Sequence, residues 1–386
     1  MFFLSSVYTM LVPFLPLYLI ELGVAEDELN WWSGIIFSAC FFVAAIMGPI
    51  WGKLADAKGK KRMAVRAAIF IGLSYLLAGL VQNEWQLLGM RILQGFANGY
   101  MPAAMAIVSG SVPPKKLGVT LGIFQAALVV GGICGPLMGG VIAHWFGMRA
   151  SFFVGGSIVW AVALAVIFFV HEKAPEKLKK EEKTSIGADL SYAFGNRRLR
   201  ELLFFYFVLQ SAILMIQPVT SLYVGELQGS MEGVAMTAGI IMSCGGLAGA
   251  LTTPLWGKFG QRRGYYRAMA FTFTGAGLLM AGQAIPDSVW GFGLFQFAVG
   301  CFIVGINPSL NAAMVECTPA SFRGRVFGIS NTAQQMGNMF GPLAAGALAT
   351  AVSIKAVFLT GGVALFLTGL RIWTEWHGKE PPKPGV

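Results

Sequence analysis

Apolar residues run in long stretches along this chain, and short polar connections separate them. Windows of roughly 18 to 25 residues, each about the length that crosses a hydrocarbon core, fall at 2 to 21, 32 to 52, 64 to 82, 86 to 108, 119 to 143 and 150 to 170. Six more follow at 202 to 224, 234 to 256, 268 to 286, 290 to 314, 326 to 350 and 355 to 373. One long polar segment, residues 171 to 201, divides the two sixes and is dense in Lys and Glu as far as Lys183. Its second part, Ser185 to Glu201, has the pattern of a surface helix with Leu190, Tyr192, Phe194 and Leu199 turned to the membrane or the bundle. The pattern predicts an all-α integral membrane protein with 12 transmembrane helices in two pseudo-symmetric six-helix bundles, 1–171 and 201–376. A cytoplasmic linker, 172–200, and a Pro-rich cytoplasmic tail, 377–386, complete it.

The two sixes are copies of one unit. Pro49-Ile50-Trp51-Gly52-Lys53-Leu54 returns 205 positions later as Pro254-Leu255-Trp256-Gly257-Lys258-Phe259. Tyr18 with Tyr223, Glu21 with Glu226 and Gly34 with Gly239 keep that register, and at an offset of 206 Gly131 and Gly135-Pro136 match Gly337 and Gly341-Pro342. So long a period excludes a solenoid or a propeller, and tandem hydrophobic halves are the pattern of secondary transporters, whose substrate site lies between the repeats.

Composition supports the bilayer, with 56% hydrophobic and 12% charged residues. The net charge of +10 would suggest nucleic acid, but 25 of the 28 Lys and Arg fall on alternate connections. By the positive-inside rule, that places both termini and the central linker in the cytoplasm and leaves no single basic face for nucleic acid. The N-terminus has no basic leader and carries Pro13 and Pro16, so it reads as a retained helix that starts abruptly, with the true start expected upstream of Met1. The five Cys make no ligand cluster, so no metal or cofactor is expected, and they read as packing residues.

Three local patterns carry specific chemistry. Gly52 to Arg62 is a short basic connection with Asp56 its lone carboxylate, expected as a tight turn in which Asp56 accepts charge-assisted hydrogen bonds. Arg91 is the charged residue deepest in a predicted span, where an arginine costs about 2.5 to 3.5 kcal/mol on insertion scales. It is read either as bonded to carbonyls of a neighbouring helix or as a coupling or substrate-binding charge. Gln94 and Asn98 share its helix and fit either a cavity lining or interhelical hydrogen bonds. Glycines 122, 131, 135, 139 and 140 with Pro136 describe a bent helix that neighbours approach closely.

These residues resemble the three motifs of the major facilitator superfamily, and within it the twelve-span drug:proton antiporter group. Gly52, Leu54, Asp56, Gly59, Lys60 and Lys61 match the cytoplasmic motif A, with Ala57 where the family usually has Arg. Arg91, Gln94 and Gly95 match motif B, and Gly122, Gly131, Gly135, Pro136, Gly139 and Gly140 match motif C, which marks the family's antiporters. The resemblance implies that motif A latches the outward-open state, that Arg91 takes part in proton coupling, and that transport is antiport.

The coupling candidates are Arg91, Asp56, Glu21 and Glu226, since no carboxylate lies in mid-span; Glu21 is read either as approaching Arg91 from the end of span 1 or as an exposed acid at a helix end. Tyr18, Phe37, Phe41, Asn98, Gln210, Gln217, Tyr223, Gln296, Asn307 and Asn311 are the candidate cavity lining. Such a cavity suits neutral or anionic amphiphiles. The function expected is export of small amphiphilic compounds, multidrug efflux, by proton antiport from a bacterial inner membrane. The partners are substrate, protons and lipid, and the protein is a monomer and not an enzyme. The alternatives are a dedicated exporter of one sugar, siderophore or lipid-like metabolite, and a non-transporting receptor on the same fold.

Overall fold

The computed structural model describes residues 1–112, 114–170, 186–319 and 322–376, and among these every regular element is helical. In chain order these are α1 (Phe2–Leu11), a 3-10 turn (Val12–Phe14), α2 (Leu15–Glu21), α3 (Glu26–Lys58), α4 (Lys60–Ala78), α5 (Glu84–Ala97), α6 (Tyr100–Ser111), α7 (Pro114–Phe146) and α8 (Met148–Phe169). The second half holds α9 (Ile186–Gly195), α10 (Arg197–Gln228), α11 (Val234–Arg263), α12 (Tyr265–Gly282), α13 (Val289–Ile303), α14 (Ile306–Glu316), α15 (Arg323–Ala351) and α16 (Ile354–Trp376). With α1–α2, α5–α6 and α13–α14 each counted as one interrupted crossing, and α9 set aside, the helices fall on the twelve apolar windows. Eight of the crossings meet both the length and the apolar composition a membrane span requires.

Three spans expected to be continuous are broken, each where a proline removes an amide. Pro13 lies within the 3-10 turn of the first crossing, and Pro16 opens the first turn of α2 after it. The fourth crossing stops at Ala97 and restarts at Tyr100, with Gly99 at φ +119° and Pro102 in the next turn. The tenth stops at Ile303 and restarts at Ile306, again with a proline, Pro308, two residues on. The Gly52–Arg62 connection is likewise not an open loop. Helix continues through Lys58 and resumes at Lys60, so Gly59 alone turns the chain, at φ +99° and ψ +141°. Gly264 does the same between α11 and α12, at φ +97° and ψ +144°, 205 residues later. A side chain at either position would hold the backbone in a conformation that L residues rarely adopt.

Ser185 to Glu201 does not form one surface helix. Its first part is α9, and Asn196 then caps α10, its Oδ1 accepting from the amides of Arg198 and Leu199 at 3.0 and 3.4 Å. Leu199 is consequently buried in the bundle. The linker from 171 to 185 and the tail from 377 lie outside the described residues.

The chain packs as two compact units. One comprises Met1–Glu181 with Gln217–Ser243, and the other Glu182–Ile216 with Cys244–Val386. In the first, α1 packs along α7, α4 along α8 and α3 along α5; in the second, α12 packs along α16. Glycines make these approaches possible. Gly131, Gly135 and Gly139, four residues apart on α7, lie on α1, where an added Cβ would meet the Phe2 carbonyl and Ser5, then Ser6 and Thr9, then Met10 and Phe14. The hydroxyl of Ser5 also bonds the Leu128 carbonyl at 2.7 Å. A second face of α7 meets the start of α11: Gly140 lies on Ala235, Gly239 lies on the Pro136 carbonyl, and the Ser243 hydroxyl donates to Ile133 O at 2.6 Å. The glycine pattern thus serves two seams at once.

Corresponding glycines in the second unit repeat the arrangement. Gly337 and Gly341 of α15 lie on the carbonyls of Phe207 and Ser211, as Gly131 and Gly135 lie on those of Phe2 and Ser6. Gly300 lies on Gly245 O as Gly95 lies on Cys40 O. Gly122 differs, because it is exposed and nothing would stand within 4 Å of a Cβ there. Gly135→Val should therefore lower stability by about 1 to 3 kcal/mol through overpacking. Gly122→Ala should be neutral or stabilising by up to about 1 kcal/mol, because it only removes backbone freedom from a helix. Melting of the two purified variants in detergent checks this, and equal melting points would refute the seam.

Candidate functional site

Arg91 sits in α5 with 4% of its surface exposed. Its Nε donates to the Ile36 carbonyl of α3 at 3.2 Å, and its Nη1 donates to Gln94 Oε1 one turn along its own helix. Nη2 is buried and has no hydrogen-bond partner. Gln94 is also bonded to Tyr75 of α4, and Tyr8, Tyr75 and Cys40 all lie close enough to feel the arginine's charge. A small cavity beside it is lined by Leu11, Leu15, Ser74, Tyr75, Gln94 and Phe152 among others, and by no acid. Arg91 is thus a charge held among neutral dipoles.

The candidate coupling carboxylates are elsewhere, Glu21 among them, which takes the second of its two readings, an exposed acid at a helix end. Glu21 pairs with Arg149 at 3.7 Å, and both are nearly half exposed, so the pair contributes little. Asp56 shares the unbroken helix α3 with Ile36, 20 residues further on, about 30 Å along the axis at the rise of an α-helix. Its side chain lies outside what is described, as do the side chain of Lys53 and the surroundings of Gly52. Glu226 is exposed. None of the three is brought to Arg91.

Around motif A, Leu54 is half-buried, Gly59 is buried, and Lys61 donates to the Ile167 carbonyl at 2.8 Å. Lys60 lies half-buried beside it. The same end of the unit holds a second arginine that the motifs did not indicate. Pro102 removes the amide that would serve Asn98 O, and Arg66 Nη2 donates to that carbonyl at 3.0 Å and to Ala97 O at 3.3 Å. Its guanidinium stacks 3.5 Å above Trp51, whose indole donates to Phe96 O at 2.8 Å. A cation at the carbonyl end of α5 also meets the negative end of the helix dipole. Trp256 repeats the indole bond, to Cys301 O at 2.6 Å, but Phe271 stands where Arg66 would be.

The proposed lining residues divide by burial. Tyr18 and Tyr223 are fully buried, as is Phe37; Phe41 is 7% exposed. The Tyr18 hydroxyl donates to Ala78 O at 2.8 Å, so it acts as an interhelical tie within the first unit. In the second unit Tyr206 donates to Asn311 at 2.5 Å, Gln210 to Gln334 at 3.2 Å, and Gln283 bonds Gln296. Asn307 is half-buried, and Asn98 uses its Oδ1 on the Gly99 amide at 2.7 Å. Gln217 in the first unit leaves a buried Oε1 without a partner.

Sequence reasoning missed Tyr75, Arg66 and Glu201. Nothing in a single sequence distinguishes Tyr75 from a packing tyrosine. Glu201 was readable: it stands four residues after Arg197, which binds it at 3.1 Å, and Arg371 approaches it at 3.5 Å while Glu375 bridges back to Arg197 at 3.2 Å. Its side chain is only 6% exposed, while Arg197 and Arg371 are 69% and 47% exposed, so a buried carboxylate is held by two cations that reach it from the surface.

Comparison with known proteins places these features. The family model of the Major Facilitator Superfamily matches residues 1–286 and 234–386. The Multidrug resistance protein MdtG of Proteus mirabilis (strain HI4320) is 32% identical over 378 residues, covering 97% of this chain and 94% of the relative. That of Salmonella dublin is 34% identical over 367 residues, covering 95% and 91%. Among solved structures, the nucleoside transporter NupG aligns over 97% of both chains with a TM-score of 0.81 at 14% identity. A bacterial homologue of the human lysosomal transporter Spinster aligns over 100% of this chain and 97% of that one, with a TM-score of 0.80 at 15% identity. At such identities the structures show a shared fold, while the family model and the two MdtG relatives carry the assignment: this chain belongs to the major facilitator superfamily.

Proposed function

We propose that this protein exports small amphiphilic compounds of several unrelated kinds from a bacterial cell, in exchange for protons, by alternating access of its two six-helix halves, 1–171 and 201–376. The observation that carries the reading is the likeness to the two MdtG relatives, which extends over at least 95% of this chain. Supporting it are the complete motif C and the two seams its glycines serve. The protein acts as a monomer in the inner membrane, and the distribution of Lys and Arg supports both termini in the cytoplasm.

Within this scheme Arg91 is the fixed interior charge, and protons are carried by carboxylates at helix ends, Glu21, Glu226 and Asp56. Because none of these groups contacts Arg91, coupling runs through helix movement, not through one shared proton. Motif A, from Gly52 to Lys61, holds one end of the cycle through its helical turn at Gly59.

Two measurements check the proposal. In inside-out vesicles carrying a pH-sensitive dye, several unrelated amphiphiles should each dissipate a preformed proton gradient, and an Asp56→Asn, Arg91→Ala double variant should not. Response to one compound alone would establish a dedicated exporter, and no response to any would remove proton exchange. Arg91→Ala alone should abolish substrate-driven proton flux while the protein still inserts and purifies as a single species; flux equal to that of the parent would remove Arg91 from the mechanism.

A further inference from the structure

One strip of α4 joins cations to apolar side chains. Arg62, Val65, Arg66, Ile69 and Phe70 fall at i, i+3, i+4, i+7 and i+8, a single face of a helix. With Lys61 they line an open recess of about 540 Å³ at the start of α4, and no acid stands among its described lining residues. Arg62, Ile69 and Phe70 are exposed. Tyr75, which bonds Gln94, stands nine residues after Arg66, half a turn away round the helix at about 100° per residue. The recess thus lies on the side of α4 turned away from Arg91.

Its three cations are held differently. Lys61 Nζ donates to Ile167 O of α8 at 2.8 Å, and Arg62 is in no ion pair among the described residues. Arg66 is engaged by Trp51, Ala97 O and Asn98 O, and its Nε and Nη1 are buried. It therefore contributes charge, while Lys61 and Arg62 offer the donors. The second unit closes the corresponding face. Phe271 and Trp373 hold the positions of Arg66 and Ile167, at offsets of 205 and 206, and their ring centroids are 5.3 Å apart, edge to face. Glycines confirm that register, since Gly72 meets Gly156 as Gly277 meets Gly362. Lys61 is replaced there by the buried Tyr266. The charged recess belongs to the first half alone.

Cations at one end and apolar side chains along the other match a molecule with an anionic head and a hydrocarbon body. A free phosphate would leave Val65, Ile69 and Phe70 uncovered, and a cationic amphiphile would be repelled. By the positive-inside rule the start of α4 stands at the cytoplasmic headgroup level, where anionic lipids attract basic side chains. We infer that the recess binds one anionic glycerophospholipid, its phosphodiester at Lys61 and Arg62 and its chains along Val65, Ile69 and Phe70. This site is separate from the path of exported compounds, and it holds whether or not the protein exports them.

Native mass spectrometry of the purified protein, titrated with dioleoyl phosphatidylglycerol or dioleoyl phosphatidylcholine, is the test. The first phosphatidylglycerol should bind roughly tenfold or more tighter than phosphatidylcholine, and Lys61→Gln with Arg62→Gln should weaken it roughly 30-fold, at about fivefold per cation. Arg262→Gln with Arg263→Gln, which removes equal charge from the exposed end of α11, should leave that affinity unchanged. Glycerol 3-phosphate in excess should not compete. Equal affinity for the two lipids overturns the site, as does unchanged affinity in the α4 variant. An equal loss in the α11 variant would mean diffuse charge, and competition by glycerol 3-phosphate would mean a soluble phosphate; either overturns a lipid site. If the double variant cannot be purified, Arg62→Gln alone decides, at an exposed side chain: binding about fivefold weaker upholds the site, and unchanged binding overturns it.

Discussion

A carbonyl without a partner in a bilayer has no water to turn to, so each place where this chain interrupts a helix must be answered by another group. Pro102 withdraws an amide from Asn98 O, and Arg66 supplies a donor from α4. The carbonyls of Phe96 and Cys301, at the ends of α5 and α13, are met by the indoles of Trp51 and Trp256. Ser221 donates to the carbonyl of Pro13, within the 3-10 turn of the first crossing, at 3.1 Å. Each break therefore requires a particular side chain on a particular neighbour, and helix pairings follow from that requirement. Packing then completes what the hydrogen bonds begin, through glycines that bring backbones together where no hydrophobic force between helices exists.

The duplicated unit keeps its packing more faithfully than its charge. Gly95 on Cys40 and Gly300 on Gly245, Trp51 on Phe96 and Trp256 on Cys301, Gly59 and Gly264 as single-residue turns: all share one register. Arg66, Arg91 and Asp56 have no counterparts, since Phe271, Gln296 and Gln261 stand at those positions. The first half carries interior cations and the second carries amide pairs. Those three substitutions remove these charges from the second half while the shared packing stays in place.

Much of this was legible in the sequence. Twelve apolar windows, the 205-residue register and the glycine spacing of α7 are one-dimensional patterns, and physical periodicity fixes what they mean. The interruptions at Asn98–Gly99 and Val304–Gly305 were not foreseen, because an apolar window hides a break when both sides stay hydrophobic. Pro102 and Pro308 were visible, but a proline near a helix start reads equally as a kink. The pairing of Glu21 with Arg149 instead of Arg91 depends on how neighbouring helices are rotated, which hydropathy does not encode. Likewise Tyr75 reaches Arg91's surroundings only through the facing of α4 on α5.

The turn at Gly59 has a mechanical meaning. With one residue between α3 and α4, no slack remains to absorb a twist, so the angular phase of one helix sets that of the other. An added residue would turn every following side chain of α4 by roughly 100°, the angle that one residue spans in an α-helix. Arg66 would leave Trp51, and Tyr75 would leave Gln94. The connection thus works as a rigid coupling between two shafts, and the length of this joint is held as tightly as the identity of any side chain it aligns.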